Sequence, residues 1–200
     1  MAQPPLTLLP NQLELVRPPA PGKLELVRSF LNTLDVAKGV DAIATPALLL
    51  AWLREHELLE RQAKPAVSAE DAERVRRIRE ELRALTRRNN ADDCACATGE
   101  IEAASERSRY AIVLDPGTAS STLRPAAAGL DGAMGRLLAA VHTAMLERSW
   151  TRLKSCADES CRWTYFDHSK NGCSRWCSAD TCGNRSKVKR YRERQARSTP

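Results

Sequence analysis

The chain has 200 residues, of which 42% are hydrophobic and 28% charged, and its net charge is +6. This balance is typical of a folded protein and excludes a largely disordered one. The sequence contains no run of about 18 apolar residues, so no membrane-spanning helix is predicted. Residues 1–10 lack the basic start and apolar stretch of a signal peptide. We therefore expect a cytoplasmic protein with no membrane partner.

Positive charge is concentrated in the last quarter of the chain. Residues 148–200 contain 13 Lys/Arg and 5 Asp/Glu, whereas residues 1–147 contain 18 and 20. Six of the nine aromatic residues also lie after residue 149. This change of composition predicts a domain boundary near residue 150.

The first 23 residues are rich in proline and form a separate N-terminal segment in this interpretation. The sequence Leu-Glu-Leu-Val-Arg occurs at residues 13–17 and again at residues 24–28. Because apolar and charged residues alternate in both copies, we interpret them as two neighbouring short strands, with chance recurrence as the alternative.

Two helices are predicted between residues 45 and 88. Thr45-Pro46 has the pattern of an N-cap followed by proline at the first helical position, and the helix is expected to reach Glu60. Ser68 and Asp71 resemble a capping box that opens the second helix. The expected apolar face of the first helix comprises Leu48, Leu49, Trp52, Leu53 and Leu59. The arginines of the second are interleaved with acidic residues and predict a solvated face: Arg74, Arg76, Arg77, Arg79 and Arg83.

Residues 100–148 predict a helix, a hairpin and a long helix. A short helix over 100–108 precedes a buried strand at 110–114, a turn at 115–117 and a returning strand at 120–124. The helix over 126–148 has an apolar stripe. Its members are Leu130, Met134, Leu137, Leu138, Val141, Met145 and Leu146.

Five of the seven cysteines lie between residues 156 and 182. Cys156-x4-Cys161 and Cys177-x4-Cys182 are separated by fifteen residues, and two such pairs can supply the four thiolates of a structural zinc site. Reduced cysteines in a small core or two disulfides are the alternatives, but a module of about 50 residues needs the stability that a metal supplies. Cys173 is either a free thiol or an alternative to Cys177, and His168 either forms hydrogen bonds within the hairpin between the two pairs or replaces a ligand. Cys94 and Cys96 lie in a distant loop.

The segment between the two pairs is expected to form a β-hairpin. Residues 163–166 have strand character, residues 169–172 end in an Asn-Gly turn signal, and residues 174–176 would return. The second pair would then open a helix, whose N-terminus favours the negative charge of a zinc–thiolate centre.

A strongly basic segment follows the last cysteine. It contains seven cations and one acid, Glu193. Val188 and Tyr191 are expected to pack back onto the finger, which leaves the cations available to neutralise phosphates in a salt-dependent manner. A solvated tail is the alternative. The cations are Arg185, Lys187, Lys189, Arg190, Arg192, Arg194 and Arg197.

The sequence Cys182-Gly183-Asn184-Arg185 resembles the motif of the CGNR zinc fingers, and the resemblance covers about residues 148–195. It extends through Trp163, Phe166, Asp167, Ser169, Arg175 and Trp176. The resemblance implies one structural zinc ion held by Cys156, Cys161, Cys177 and Cys182. It also implies DNA binding, which we expect at Arg175, Asn184, Arg185, Lys187, Lys189, Arg190, Arg192 and Arg194.

Residues 24–145 resemble, more loosely, the ABATE domain, which is described as a stress-induced transcription regulator. The resemblance rests on Phe30-Leu31-Asn32-Thr33, the helix of Trp52 and the hairpin near Tyr110. The predicted fold is α+β. A mostly helical domain with a small hairpin spans 24–147, and a treble-clef-like finger with four cysteine ligands and a basic helix spans 148–197.

These features favour a bacterial, zinc-dependent regulator that binds duplex DNA. Its N-terminal domain would sense a small-molecule effector or form a homodimer, and the response to stress follows from the family resemblance. The alternative is a zinc-finger adaptor that binds an acidic protein partner. An enzyme is not expected, because four cysteines close the zinc coordination shell and no nucleophile–base pair is evident.

Overall fold

The computed structural model describes residues 18–59, 65–90 and 96–197. The helices are α1 (Leu24–Leu31), α2 (Pro46–Glu55), α3 (Ala69–Arg88), α4 (Gly99–Ser108), α5 (Gly129–Leu146) and α6 (Asn184–Arg197). The strands are β1 (Leu34–Asp35), β2 (Val40–Asp41), β3 (Tyr110–Asp115), β4 (Ser120–Pro125), β5 (Leu153–Ser155) and β6 (Thr164–Phe166). They form three separate antiparallel pairs, β1–β2, β3–β4 and β5–β6. The predicted α+β class is confirmed. No helix in the described ranges is long and apolar enough to cross a bilayer.

Residues 24–28 belong to helix α1, so the predicted strand is wrong there. Leu24, Val27 and Leu31 lie on one helical face and are buried. Their spacing of three and four matches a helix as well as the local alternation matches a strand, and burial of this face in the core decides between them. The other copy, at residues 13–17, lies outside the described residues.

Both predicted helix starts are confirmed. The Thr45 hydroxyl accepts a hydrogen bond from the Leu48 amide at 3.3 Å. Ser68 and Asp71 form a reciprocal capping box, with bonds of 3.1 Å and 3.0 Å. Helix α2 ends at Glu55 rather than reaching residue 60. Leu48 is 46% exposed and therefore lies outside the apolar face assigned to it.

One hydrophobic core joins the helices to the start of the finger. Leu53 of α2, Leu82 of α3 and Leu137 of α5 are buried in this core together with Leu153 and Phe166 of the β5–β6 pair. The finger therefore contributes apolar side chains to the core of the helical region. The predicted stripe of α5 is confirmed up to Val141 but is wrong for Met145 and Leu146. These two are 45% and 72% exposed, because they lie on the side of the last turn away from the core, which Ala144 of the same turn enters.

The β3–β4 hairpin forms as predicted, but β3 is not a buried strand. Ile112 is 70% and Leu114 is 73% exposed. Only the base of the hairpin is anchored, where the Tyr110 hydroxyl donates a hydrogen bond to the Gly135 carbonyl at 3.0 Å. A Cβ at Gly135 would lie 2.7 Å from Pro125, so glycine permits this close approach of α5.

Two arginines of α3 contradict the predicted solvated face. Arg79 and Arg83 are both only 2% exposed. Arg79 donates two hydrogen bonds to the carboxylate of Asp41, at 2.7 Å and 2.9 Å. Burial acts to raise the pKa of Asp41, but the bonds from Arg79 and the Ile43 amide outweigh it and lower that pKa. The α3 helix thus uses buried charge pairing where the sequence suggested only surface charge.

Candidate metal centre and basic helix

The four predicted metal ligands converge in space. Their Sγ atoms all lie within 4.8 Å of one another, and all four residues are buried. Cys177 Sγ is 3.6 Å from both Cys161 Sγ and Cys182 Sγ. A tetrahedral zinc ion with Zn–S bonds of about 2.3 Å separates its sulfurs by about 3.8 Å. The donor set and its dimensions therefore fit one structural zinc ion.

The first cysteine pair is held by a tight turn between β5 and β6. The Cys156 amide donates to the Trp163 carbonyl at 2.9 Å, and the Cys161 amide donates to the Asp158 carbonyl at 2.9 Å. Arg162 adopts a positive φ of 52° immediately after the turn. These constraints direct both thiols toward the same point.

The second pair spans a wide helical turn. Ser178 caps it, with its hydroxyl accepting from the Thr181 amide at 3.2 Å. Residues Ala179–Gly183 form one π-helical turn, and α6 follows directly from Asn184. The prediction that the second pair opens a helix is thus confirmed, and Cys182 lies at the N-terminal end of the basic helix.

The predicted hairpin within the finger is wrong in its pairing. Strand β6 pairs with β5, which precedes the first cysteine, and residues 174–176 form no strand. Leu153 pairs with Phe166 and Ser155 with Thr164. This pairing buries Leu153 and Phe166 against the helical core, which is favourable because their apolar surface leaves water. The Asn-Gly turn signal is local and carries no information about this burial.

A buried ion pair organises the long loop between β6 and Cys177. Asp167 is fully buried, and its Oδ2 accepts from Lys154 Nζ at 3.0 Å and from the Ser174 amide at 2.8 Å. Its Oδ1 accepts from the Ser169 amide and hydroxyl at 3.0 Å and 2.7 Å. Burial acts to raise the pKa of Asp167, but the bonds from Ser169, Lys154 and Ser174 hold it far below its usual range.

Ionisation of all four cysteine thiols requires a bound cation that compensates their negative charges. Contacts with the Cys161 and Cys177 thiols lower the pKa of Cys156 to about 2, with help from backbone amides. The neighbouring Cys156 thiolate in turn raises the pKa of Cys161 to about 12 and that of Cys177 above its usual range. Zinc binding requires every ligand to be a thiolate, and a cation among the four sulfurs would offset the mutual repulsion of their charges.

Arg185 joins the two halves of the metal site. Its Nη2 donates to Cys182 Sγ at 3.0 Å and lies 3.1 Å from Asp158 Oδ2, in the turn between the first two cysteines. The bond to Cys182 raises the pKa of Arg185. This side chain was predicted to contact DNA, but its observed contacts are those of a residue that orients a metal ligand.

The other cysteines and the nearby histidine lie apart from the cluster. Cys173 is exposed, and the cluster does not include it. His168 Nε2 lies 3.2 Å from the carbonyls of Pro18 and Pro19, so its hydrogen bond is to the N-terminal segment and not, as predicted, within the hairpin. Cys96 is also outside the cluster, and Cys94 is outside the described residues.

Contacts from α3 hold the finger against the helical region. Arg83 Nη1 donates to the Arg162 carbonyl at 3.0 Å, and its Nη2 donates to the Leu31 carbonyl. Asn89 donates to the Leu153 carbonyl at 2.7 Å. Sequence reasoning missed these residues, because neither an arginine in a charged helix nor the asparagine that follows that helix carries a local sign of such tertiary contacts.

The basic helix α6 has two different faces. One face borders a cleft of about 920 Å³. The finger side of this cleft is lined by Asp158, Glu159, Trp176 and Asp180, and the helix side by Asn184, Arg185, Lys189, Arg192 and Glu193. The other face carries Lys187, Arg190 and Arg194, which are spaced by three and four residues and exposed. Charge is mixed on the cleft face and uniformly positive on the other.

The remaining predictions for α6 have mixed outcomes. Val188 and Tyr191 do not pack back onto the finger, since they are 42% and 58% exposed. The Arg190 guanidinium instead lies 5.9 Å from the ring centroid of Trp176, within range of a cation–π contact. Asn184 is exposed at the start of α6, and Arg175 is exposed just before Cys177. DNA contact by the predicted residues stays a prediction.

A helical region joined through a shared core to a four-cysteine site and a basic helix defines a zinc-finger protein. Comparison with family models gives a more specific assignment. The CGNR zinc finger model matches residues 152–195, and the ABATE model, described as "Putative stress-induced transcription regulator", matches residues 24–148. The chain therefore belongs to the ABATE family and carries a CGNR zinc finger. A search of curated proteins found no match.

Proposed function

We propose that this protein is a zinc-dependent transcription regulator that binds duplex DNA through α6. The observation that carries the proposal is the exposed cationic face of Lys187, Arg190 and Arg194 on a helix that starts at the metal site. Cations on one rigid face can neutralise successive phosphates and release counterions. The family description supports a regulatory role for the whole chain.

The acidic residues of the cleft indicate which face of α6 would meet DNA. Asp158, Glu159 and Asp180 border the cleft, where they lie beside Lys189 and Arg192 of the cleft face. A phosphate placed there would be repelled by these carboxylates, whereas the face of Lys187, Arg190 and Arg194 contains no acid. Phosphate contacts position a protein on DNA, and recognition of a sequence requires further contacts to base edges.

The remaining parts of the proposal concern cellular context. We propose a cytoplasmic, bacterial regulator, and its response to stress is supported by the family description. The helical region would serve as a sensor for a small effector or as the site of homodimer formation. We propose no catalytic role, because the four thiolates would complete a tetrahedral shell around zinc and leave no position for substrate.

The cleft favours one alternative function. Its mixture of carboxylates and cations around Trp176 suits a peptide segment that carries both charges and an apolar side chain. The finger would then act as an adaptor for another protein and would not select a DNA sequence.

The proposal can be tested by recovering fragments of the source genome with the zinc-loaded protein and sequencing them. Cys177→Ser is one comparison, and the folded double variant Lys187→Ala/Arg194→Ala is the other. A matched control, Lys189→Ala/Arg192→Ala, removes one lysine and one arginine from the cleft face instead.

Three outcomes are distinguishable. Enrichment of a few sites by the wild type and the control, but not by Lys187→Ala/Arg194→Ala, would support a sequence-specific regulator. Uniform recovery of all fragments would indicate phosphate binding alone. Absence of recovery at moderate salt would contradict DNA binding and favour the adaptor function.

A further inference from the structure

The β3–β4 hairpin is a two-stranded sheet that could accept a further strand. Among the described residues it has two strands only, and the outer edge of β3 has no strand partner. Its most exposed large side chains are Ile112 and Leu114, while only Tyr110 at its base packs against the core. A two-stranded hairpin is marginal in water, and added strands stabilise it.

The edge of β3 lacks the features that normally prevent strand addition. Residues 110–114 contain no charge, proline or glycine. Exposed edge strands in soluble proteins usually carry such residues to prevent association. Strand β4 is the poorer edge, since it contains Arg124 and ends at Pro125, which has no N–H to donate. Strand addition is therefore expected at β3.

The charged residues on either side of β3 indicate which kind of strand could pair with its open edge. Arg109 precedes the strand and Asp115 ends it, three residues on either side of Ile112. In an antiparallel pairing of two copies centred on Ile112, Arg109 of each copy lies opposite Asp115 of the other. Tyr110 then lies opposite Leu114, and Ile112 lies opposite itself. Two antiparallel copies of β3 would therefore place opposite charges together at both ends of the pair and apolar side chains together in the middle.

We propose that a second copy of this chain adds its β3 to the β3 edge, in antiparallel register about Ile112. The product is a continuous four-stranded sheet with two-fold symmetry. It satisfies the outward backbone groups of both strands and brings the apolar side chains of two hairpins into cross-strand contact. The contact does not depend on DNA binding, so the two proposals can fail separately.

The first test is the mass of the zinc-loaded protein in sedimentation experiments over a wide range of concentration. We expect a dimer for the wild type and a monomer for Ile112→Lys, which places two like charges opposite each other at the axis. Leu146→Lys is the control, because Leu146 is 72% exposed on α5 and lies outside the hairpin. Circular dichroism and zinc content verify that each variant is folded.

The second test addresses the register. Arg109→Asp and Asp115→Arg each create two like-charged pairs in their own homodimer, and each should weaken it on the order of tenfold. When the two variants are mixed, both flanking pairs become oppositely charged again, so a heterodimer of near wild-type affinity should form.

A monomeric wild type, or a dimer that survives Ile112→Lys, would overturn the proposal. Failure of the two folded charge variants to associate on mixing would overturn the antiparallel register. Asp115 also accepts hydrogen bonds in the hairpin turn, at 2.9 Å from the Gly117 amide and 2.8 Å from the Thr118 hydroxyl. If Asp115→Arg disturbs that turn, the Ile112→Lys experiment still decides whether the surface is used.

Discussion

The side-chain amide of Asn32 exchanges two hydrogen bonds with the backbone of Thr164. Asn32 Nδ2 donates to the Thr164 carbonyl at 2.8 Å, and Asn32 Oδ1 accepts from the Thr164 amide at 2.8 Å. Both residues are buried, although 132 positions separate them in the chain. Asn32 thus occupies the edge of β6 opposite β5, as a neighbouring strand would. The side chain of Asn32, just after α1, therefore forms the hydrogen bonds with β6 that a third strand of the finger would otherwise form.

Asn32→Ala should destabilise the protein by about 2 kcal/mol or more, because both backbone groups of Thr164 lose their partner in a buried site. The free energy of unfolding in urea, with zinc present, measures this effect. Asn171→Ala is a suitable control, since Asn171 lies exposed in the turn before Gly172. Equal stability of the two variants would contradict a role for Asn32 in holding the finger.

Cys177→Ser should abolish stoichiometric zinc binding and unfold the finger, because metal binding and folding are coupled in small zinc modules. Cys173→Ser is the matched control and should retain one zinc per chain, since Cys173 is exposed and outside the cluster. Elemental analysis of the purified proteins measures the metal content. Retention of zinc in Cys177→Ser together with its loss in Cys173→Ser would reverse the ligand assignment.

Arg185→Ala should weaken zinc binding by about 10-fold to 100-fold, which is the usual effect of removing a group that orients a metal ligand. Competition with a chromogenic chelator measures zinc affinity, and fluorescence anisotropy measures DNA affinity per zinc-loaded molecule. Lys187→Ala should show the opposite pattern, with normal zinc affinity and weaker DNA binding. Normal zinc affinity in Arg185→Ala would favour the original prediction of direct DNA contact.

Asp167→Asn should destabilise the folded protein by about 3 to 5 kcal/mol, because it leaves the buried Lys154 ammonium without its counter-charge. The pKa of Asp167 is lowered in the folded state. Its contribution to stability is therefore fully present above the unfolded pKa of about 4 and is lost as pH falls below that value. Urea unfolding of the two zinc-loaded proteins should give a constant difference between about pH 6 and pH 8. A difference that changes across this range would indicate that another group titrates with folding.

DNA affinity should fall steeply with salt, and Lys187→Ala/Arg194→Ala should reduce the slope of log K against log salt by about 1.8, or 0.9 per lost phosphate contact. The matched variant Lys189→Ala/Arg192→Ala should leave the slope nearly unchanged, because its residues border the acidic cleft. Titrations at several salt concentrations provide the comparison. Equal slopes for the two double variants would indicate that α6 does not use one face in preference to the other.

Local signals identified much of the fold from sequence. The caps at Thr45 and Ser68, the helical spacing of α3 and α5, and the turn between β3 and β4 each depend on residues close together in the chain. Errors occurred where tertiary contacts decide. Residues 24–28 form a helix because the helical conformation buries Leu24 and Val27 in the hydrophobic core. Strand β6 pairs with β5 because this pairing buries Leu153 and Phe166 in the same core.

The candidate metal site was also predictable, since ligand type and short spacing are properties of the chain itself. Cys156, Cys161, Cys177 and Cys182 converge as their spacing indicated. The partners of the site were not predictable in the same way. Arg83, Asn32 and Lys154 are polar residues whose sequence context suggests exposure, and each is buried by elements distant in the chain.

The sequence by itself therefore determined the cysteine ligand set, the helix starts and the excess of positive charge after residue 148, because these depend on residue identity and short spacing. Only the tertiary structure decided that Arg185 faces Cys182, that Arg79 and Arg83 are buried, and that Ile112 is exposed. The physical reason is that burial depends on which elements pack together. The same charged or apolar residue is consistent with either environment until that packing is known.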